Sequence, residues 1–256
     1  MADAAERADG AERTDYDAAA RPSGGSGAPA GQFIDGTFSN EAGTRRYKLY
    51  IPSGYDGQPV PLIGLLHGCT QPVEELAAGT RMNLLAEAQT FLVVYPQQSS
   101  HANRATCWNW WRTGDQQRGA GEPALIAGLT QELMARYRVD PRRVYLAGIS
   151  AGGALTTIMG ATYPDLYAAI GVHSGVAYGT AHSMLSALDV MRRGREGVAL
   201  PATRRNGRAA VPPRFVPLIL FQGDRDRVVH PSNADWVIDQ WLDACKRLTG
   251  AHGVEL

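Results

Sequence analysis

No stretch of the 256 residues approaches the ~18–20 consecutive apolar residues that a membrane-spanning helix needs. The opening Met1-Ala2-Asp3-Ala4-Ala5-Glu6-Arg7 has no apolar leader core, so the chain as written is expected to be cytoplasmic. Neither sign of charge dominates. With 25 Lys and Arg against 25 Asp and Glu, the formal net charge is zero, which argues against nucleic acid or an anionic membrane surface as the main partner. Cysteine is scarce: Cys69, Cys107 and Cys245 are too few for a disulfide framework, and their spacing fits no zinc motif, so no metal is expected. A Cys69–Cys107 bridge stays open, because both fall near the same face in the reading below; in a reducing cytoplasm free thiols are the default. There is no internal repeat, and nothing in the sequence indicates an oligomeric state.

What is present is enough for one sizeable domain. Hydrophobic residues make up 44% and charged residues 20%, in the range of globular proteins. Residues 1–31 have almost no large apolar side chains and end in a Pro/Gly/Ser-rich run, so they read as a disordered tail and linker. Residues 32–256 read as the folded domain. Phe33–Phe38 and Arg45–Ile51 alternate with strand period around the turn residues Asn40–Gly43, predicting an antiparallel hairpin. Val60–Leu66 is a continuous apolar run of the kind buried on both faces. A helix is expected over Val73–Gln89, then a strand Phe91–Tyr95 stopped by Pro96. Gln97–Arg118 reads as a long polar loop that nevertheless carries Trp108, Trp110 and Trp111. Further on come a helix over Glu122–Tyr137, strands at Arg143–Ala147 and Ala168–Val172, an irregular basic excursion over Tyr178–Pro213, a buried strand at Phe215–Gln222 and a helix from Ser232 to Leu248. Trp236 and Trp241 in that last helix read as core, and Arg204, Arg205 and Arg208 as solvated surface. Strands alternating with helices imply a mostly parallel, doubly wound α/β sheet covered on both faces, whose ligands sit at the carboxyl ends of the strands.

Chemistry concentrates at those ends. Gly148-Ile149-Ser150-Ala151-Gly152 is a G-x-S-x-G turn between an apolar strand and a helix, the context in which that pattern presents a nucleophilic serine. Acyl transfer also needs oxyanion donors, a base and a carboxylate to hold the base. The backbone N–H groups of Ala151 and, from the turn after Leu66, Cys69 are the expected donors. Asp226 is preferred over Asp224 as the carboxylate, Asp224 being the better turn residue. A Ser–Asp–His order asks for a histidine after Asp226, and the order leaves His230 and His252. His230 lies four residues past the Asp and reads as shaping that loop. His252 follows the last helix too closely, and His173, ending the strand after the elbow, precedes the Asp. The expectation is that the chain stops before its catalytic histidine. His67, His173 and the three loop tryptophans are expected to line the substrate site, with anchoring of the loop to the core as the alternative for each tryptophan.

Leu66-His67-Gly68-Cys69-Thr70-Gln71, Cys107-Trp108-Asn109-Trp110-Trp111, Gly148–Gly153, His173-Ser174-Gly175, and Gly223–Asp226 with His230-Pro231-Ser232-Asn233-Ala234 together resemble the polyhydroxybutyrate depolymerase family of serine esterases. The resemblance spans roughly residues 32–242 and implies an α/β-hydrolase fold related to feruloyl and acetylxylan esterases. It further implies a Ser150–Asp226–His triad acting on polyhydroxybutyrate or esters of short 3-hydroxyacids, with no metal or organic cofactor. The family includes secreted and intracellular members. The glycine-histidine-alanine-tryptophan segment that carries the family's histidine is absent here, so the expected fold lacks its last strand and helix and leaves an open sheet edge. Two readings of function follow: an esterase, or a catalytically silent pocket without its base.

Overall fold

A computed structural model describes residues 31–194 and 214–249. The expected tail up to residue 30, the arginines at 204, 205 and 208, and His252 lie outside the described residues.

Seven strands form one sheet in the order β1-β2-β4-β3-β5-β6-β7. The strands β1 (Gln32–Asn40) and β2 (Gly43–Ile51) make the predicted hairpin, with Asn40 opposite Gly43 at its turn. β2 also runs antiparallel to β4 (Leu92–Gln97), whereas β4, β3 (Val60–Leu66), β5 (Val139–Ile149), β6 (Ala169–His173) and β7 (Leu218–Phe221) are mutually parallel. Strand side chains alternate between faces, and here the alternation builds two cores. Leu62, Leu66, Leu92, Val94, Val144 and Leu146 point to one, together with helices α3 (Gly121–Arg136) and α4 (Ala151–Thr162). Leu65, Val93 and Tyr95 point to the other, under α1 (Val73–Thr80) and α2 (Met82–Gln89). Leu125, Leu129 and Leu133 are buried, as their spacing in the third helix predicts.

Four expectations need correction. The helix over Val73–Gln89 is two helices, broken at Arg81, which adopts a left-handed φ of 53° and caps the first while opening the second. Pro96 does not stop its strand: it pairs with Tyr47 of β2, and the β3 pairing has already ended at Val94, so the missing N–H costs no bond there. The excursion after Tyr178 contains α5 (Met184–Arg193), started by a reciprocal Ser183–Ser186 capping box and buried through Ala187 and Val190; residues 195–213 are outside the described residues. Finally, β7 is not buried on both faces. Leu218 and Leu220 pack on the larger core, but Ile219 and Phe221 on the other face are 56% and 55% exposed. Among the described residues β7 is one edge of the sheet, opposite β1, as the open-edge expectation has it.

The last helix, α6 (Ser232–Thr249), returns over α4. Trp236 is fully buried, and the Trp241 indole donates to the Val216 carbonyl at 2.7 Å while lying against Gly160 of α4.

Candidate active site

Ser150 sits between β5 and α4 with φ 55° and ψ −118°, a backbone conformation that a non-glycine residue holds only when its surroundings impose it. Those surroundings are visible. A Cβ on Gly152 would lie 2.2 Å from the Leu66 carbonyl oxygen, and one on Gly148 would lie 2.3 Å from the Gly152 oxygen. Strand and helix therefore approach as closely as glycine alone permits. The Ser150 N–H donates to the His173 carbonyl at 2.9 Å, tying the turn to the end of β6. Ala151 is the first residue of α4, where the N–H has no intrahelical acceptor and the helix dipole favours negative charge.

The turn after β3 lies directly beside this serine: a Cβ on Gly68 would be 3.6 Å from Ser150 Cβ. Its N–H groups are shared out. Gly68 donates to Gln71 Oε1 at 3.0 Å and Thr70 donates to the Ala105 carbonyl at 2.9 Å; among the described residues the Cys69 N–H between them is committed to no backbone carbonyl. Cys69 is joined to Cys107 by a disulfide with the Cα atoms 4.2 Å apart, which settles the choice left open above against free thiols. Both flanking threonines, Thr70 and Thr106, have positive φ (59° and 48°). With Ser150 and Ser174, four of the six non-glycine positive-φ residues among the described residues gather at this end of the sheet.

His67 and Trp108 are not at a substrate surface. Both are buried; His67 Nδ1 lies 2.7 Å from the Gly68 carbonyl, its Nε2 accepts from the Gln98 N–H at 3.0 Å, and the Trp108 indole donates to the His67 carbonyl at 3.1 Å. Burial lowers the His67 pKa from its ordinary 6.5, against the Gly68 carbonyl, so the ring stays neutral and supports the turn. Trp110 and Trp111 are also buried and pack edge to face in the larger core. For these residues the structure supports loop anchoring. His173 is the exposed one of the expected lining set, its ring stacked 6.4 Å from Phe221.

A buried polar network holds the tryptophan loop. Glu122 accepts from the Asn109 N–H at 2.7 Å, from the Asn109 amide at 2.8 Å and from the Gln98 amide, and faces Arg45 at 3.5 Å; its own N–H donates to Asp115. Burial, reinforced by nearby Asp115, raises the Glu122 pKa above the usual carboxylate range.

Asp226 lies in the loop after β7. One carboxylate oxygen accepts from the N–H groups of Val228 (2.8 Å) and Val229 (2.9 Å), and the other from the Gln222 amide at 3.0 Å. Partial burial works against ionisation, but these donors outweigh it and hold the Asp226 pKa below 3.8. Asp224 is exposed. Two supports were not singled out in the sequence: Gln71, which stood only as the end of the Leu66–Gln71 motif, and Gln222, which carried no signal.

Among the described residues no histidine ring is bonded to Ser150 or Asp226. His67 is spent as above, and His230 Nδ1 faces the Ser232 hydroxyl at 2.9 Å while its N–H donates to the Met191 carbonyl, which fits the loop-shaping role. Nor do the described residues contain a group of three or more His, Cys, Asp or Glu placed to hold a metal ion, or a helix long and apolar enough to cross a membrane.

Comparisons with known proteins agree with this architecture. The chain is 34% identical over 220 residues to poly(3-hydroxyalkanoate) depolymerase C of Paucimonas lemoignei, covering 85% of this chain and 51% of that protein. It is 27% identical over 223 residues to a probable acetylxylan esterase A of Neosartorya fischeri, covering 84% and 57%. It thus spans little more than half the length of these relatives. An acetyl xylan esterase structure from Aspergillus awamori shares the fold with a TM-score of 0.67 at 22% identity, over 80% of this chain and 75% of that one. The fold is that of the α/β-hydrolases. The model of the esterase PHB depolymerase family matches residues 45–254, and the chain belongs to that family.

Proposed function

We propose that the chain is a serine esterase that cleaves carboxylic esters through an acyl-enzyme on Ser150. Polyhydroxybutyrate or short 3-hydroxyacyl oligoesters are the preferred substrate class. The observation that carries this reading is Ser150 itself, held at φ 55° on a glycine-cramped turn beside the Gly68-Cys69 turn. Attack of its Oγ on the ester carbonyl carbon would place negative charge on the carbonyl oxygen. The N–H groups of Ala151 and Cys69 are the donors assigned to it, each worth about 2.7–4 kcal/mol in comparable sites. The serine proton passes to a base and then to the departing alcohol; water completes the cycle by releasing the acid. Asp226, kept ionised by its donors, would orient and stabilise the protonated base. Exposed His173 would contact the substrate at the rim.

The relatives' names support the substrate class: one acts on poly(3-hydroxyalkanoate), and another is named an acetylxylan esterase. The Cys69–Cys107 disulfide supports an oxidising compartment as the working environment rather than the cytoplasm expected from the sequence. A second reading, a pocket without turnover, is favoured by one observation: no described histidine is bonded to Ser150 or Asp226. Hydrolysis of p-nitrophenyl butyrate by the chain and its Ser150→Ala variant separates the two. Single alanine substitutions of His173, His230 and His252 then identify the base as the one whose loss abolishes turnover.

A further inference from the structure

The turn after β3 is pinned peptide by peptide. The unit joining His67 to Gly68 has its carbonyl on the Trp108 indole at 3.1 Å and its N–H on Gln71 Oε1 at 3.0 Å. The unit joining Cys69 to Thr70 has its carbonyl on the Thr70 hydroxyl at 2.6 Å and its N–H on the Ala105 carbonyl at 2.9 Å. The unit between these two is held at one end. Its Gly68 carbonyl meets His67 Nδ1 at 2.7 Å and, more loosely, the Gln71 N–H at 3.3 Å. Its other end, the Cys69 N–H, donates to no backbone carbonyl among the described residues.

The direction of the His67 bond follows from its other nitrogen. Nε2 accepts from the Gln98 N–H at 3.0 Å, and a backbone amide can only donate, so the proton of the neutral ring is on Nδ1. Nδ1–H therefore donates to the Gly68 carbonyl. Gln98 anchors the ring from just past β4, outside the turn, whereas Gln71 belongs to the turn and moves with it. In a trans peptide the carbonyl and the N–H point in opposite directions. With the carbonyl on the buried ring, the N–H faces away from it, and Cys69 is exposed. The same unit begins at Gly68, where a Cβ would stand 3.6 Å from Ser150 Cβ.

We infer that His67 is a positioning residue: by gripping the Gly68 carbonyl, its Nδ1–H aims the Cys69 N–H at the oxygen that becomes negative when Ser150 attacks. The inference rests on the esterase reading, in which Cys69 supplies one oxyanion donor. Such a donor acts by being aimed before charge develops, so a peptide free to swing forfeits much of its effect. The disulfide holds the Cys69 side chain; the His67 ring sets the plane of the amide.

The test sets two substitutions in the full chain against each other. His67→Gln keeps an acceptor near Nε2 for the Gln98 N–H but has no donor at the Nδ1 position. His67→Asn puts an amide donor at the Nδ1 position and abandons Gln98. With p-nitrophenyl butyrate, kcat should fall about 10- to 100-fold in His67→Gln, short of the ~10²–10³ lost when an oxyanion donor is removed outright, with KM within about twofold. His67→Asn should recover kcat to within about fivefold of wild type while unfolding at lower urea than His67→Gln. A ring that only filled space would make activity follow stability; here the two move in opposite directions. The 15N spectrum of the wild-type imidazole should show the proton on Nδ1, and it stands whether or not a variant folds. A proton on Nε2, wild-type kcat in folded His67→Gln, a loss carried in KM, or no recovery in folded His67→Asn overturns the inference. Absence of Ser150-dependent turnover in the unsubstituted chain overturns the esterase reading instead, and the positioning role with it; the imidazole spectrum still reports separately on the bond to Gly68.

Discussion

The Ser150 N–H donates to the His173 carbonyl at 2.9 Å, so the Ser150 turn is fastened to the end of β6 as well as wedged between β3 and α4. Backbone atoms crowd the turn at Gly148, Gly152 and Gly153. A Cβ at Gly152 would meet the Leu66 and His67 carbonyl oxygens at 2.2 and 2.7 Å, both backbone atoms that cannot swing away. Gly152→Ala is therefore expected to cost about 1–3 kcal/mol and to displace Ser150, abolishing turnover. Gly79→Ala, inside α1 with open space around it, is the matching control and should stabilise by roughly 0.5–1 kcal/mol. Chemical denaturation of both variants checks the contrast.

The disulfide Cys69–Cys107 joins the turn after β3 to the tryptophan loop across 38 residues of sequence. Replacing both cysteines by serine should cost about 2–4 kcal/mol. It should also reduce kcat, because the Cys69 N–H loses its fixed position. Thermal denaturation with and without reductant should reproduce the stability loss in the wild type and show no further effect in the double variant.

Buried His67 makes stability depend on pH with a definite sign. Its folded pKa lies below the 6.5 of the unfolded chain because burial penalises the charged ring. Its contribution is thus fully present above about pH 6.5 and is lost as pH falls through the depressed folded value, where the unfolded chain binds a proton that the folded one excludes. The urea midpoint of the wild type should fall more steeply from pH 7 to 5 than that of His67→Gln, which keeps an acceptor for the Gln98 N–H but does not titrate.

Glu122 neutralises buried Arg45 and receives both donors of Asn109. Glu122→Ala should cost about 3–5 kcal/mol, since the Arg45 guanidinium is left buried without its partner. Glu122→Gln should cost less. Intrinsic tryptophan fluorescence in the native state should change in Glu122→Ala, because Trp108, Trp110 and Trp111 are carried by the segment this carboxylate holds.

How much of this was legible in the sequence follows from the range of the signals. The elbow, the hairpin and the parallel strands are local patterns of glycine placement and hydrophobic period, and they stand where the sequence puts them. The break at Arg81 was not legible, because a left-handed arginine leaves no glycine to mark it. The inward packing of Trp108 and the neutral state of His67 arise from contacts between the β3 turn and a loop some 40 residues later; Trp108 Nε1 on the His67 carbonyl spans 41 positions. Chain periodicity carries no such information. The same holds for the Cys69–Cys107 bridge. In β7 the apolar run Leu218–Phe221 suggested burial on both faces, yet only alternate residues are covered.

The most direct test of the central claim is p-nitrophenyl butyrate hydrolysis by the purified chain beside Ser150→Ala. Turnover is expected in the wild type and should fall to the uncatalysed background in the variant, with both proteins folded. Equal rates in the two, or no turnover from folded wild type, would contradict Ser150 as the nucleophile of an esterase.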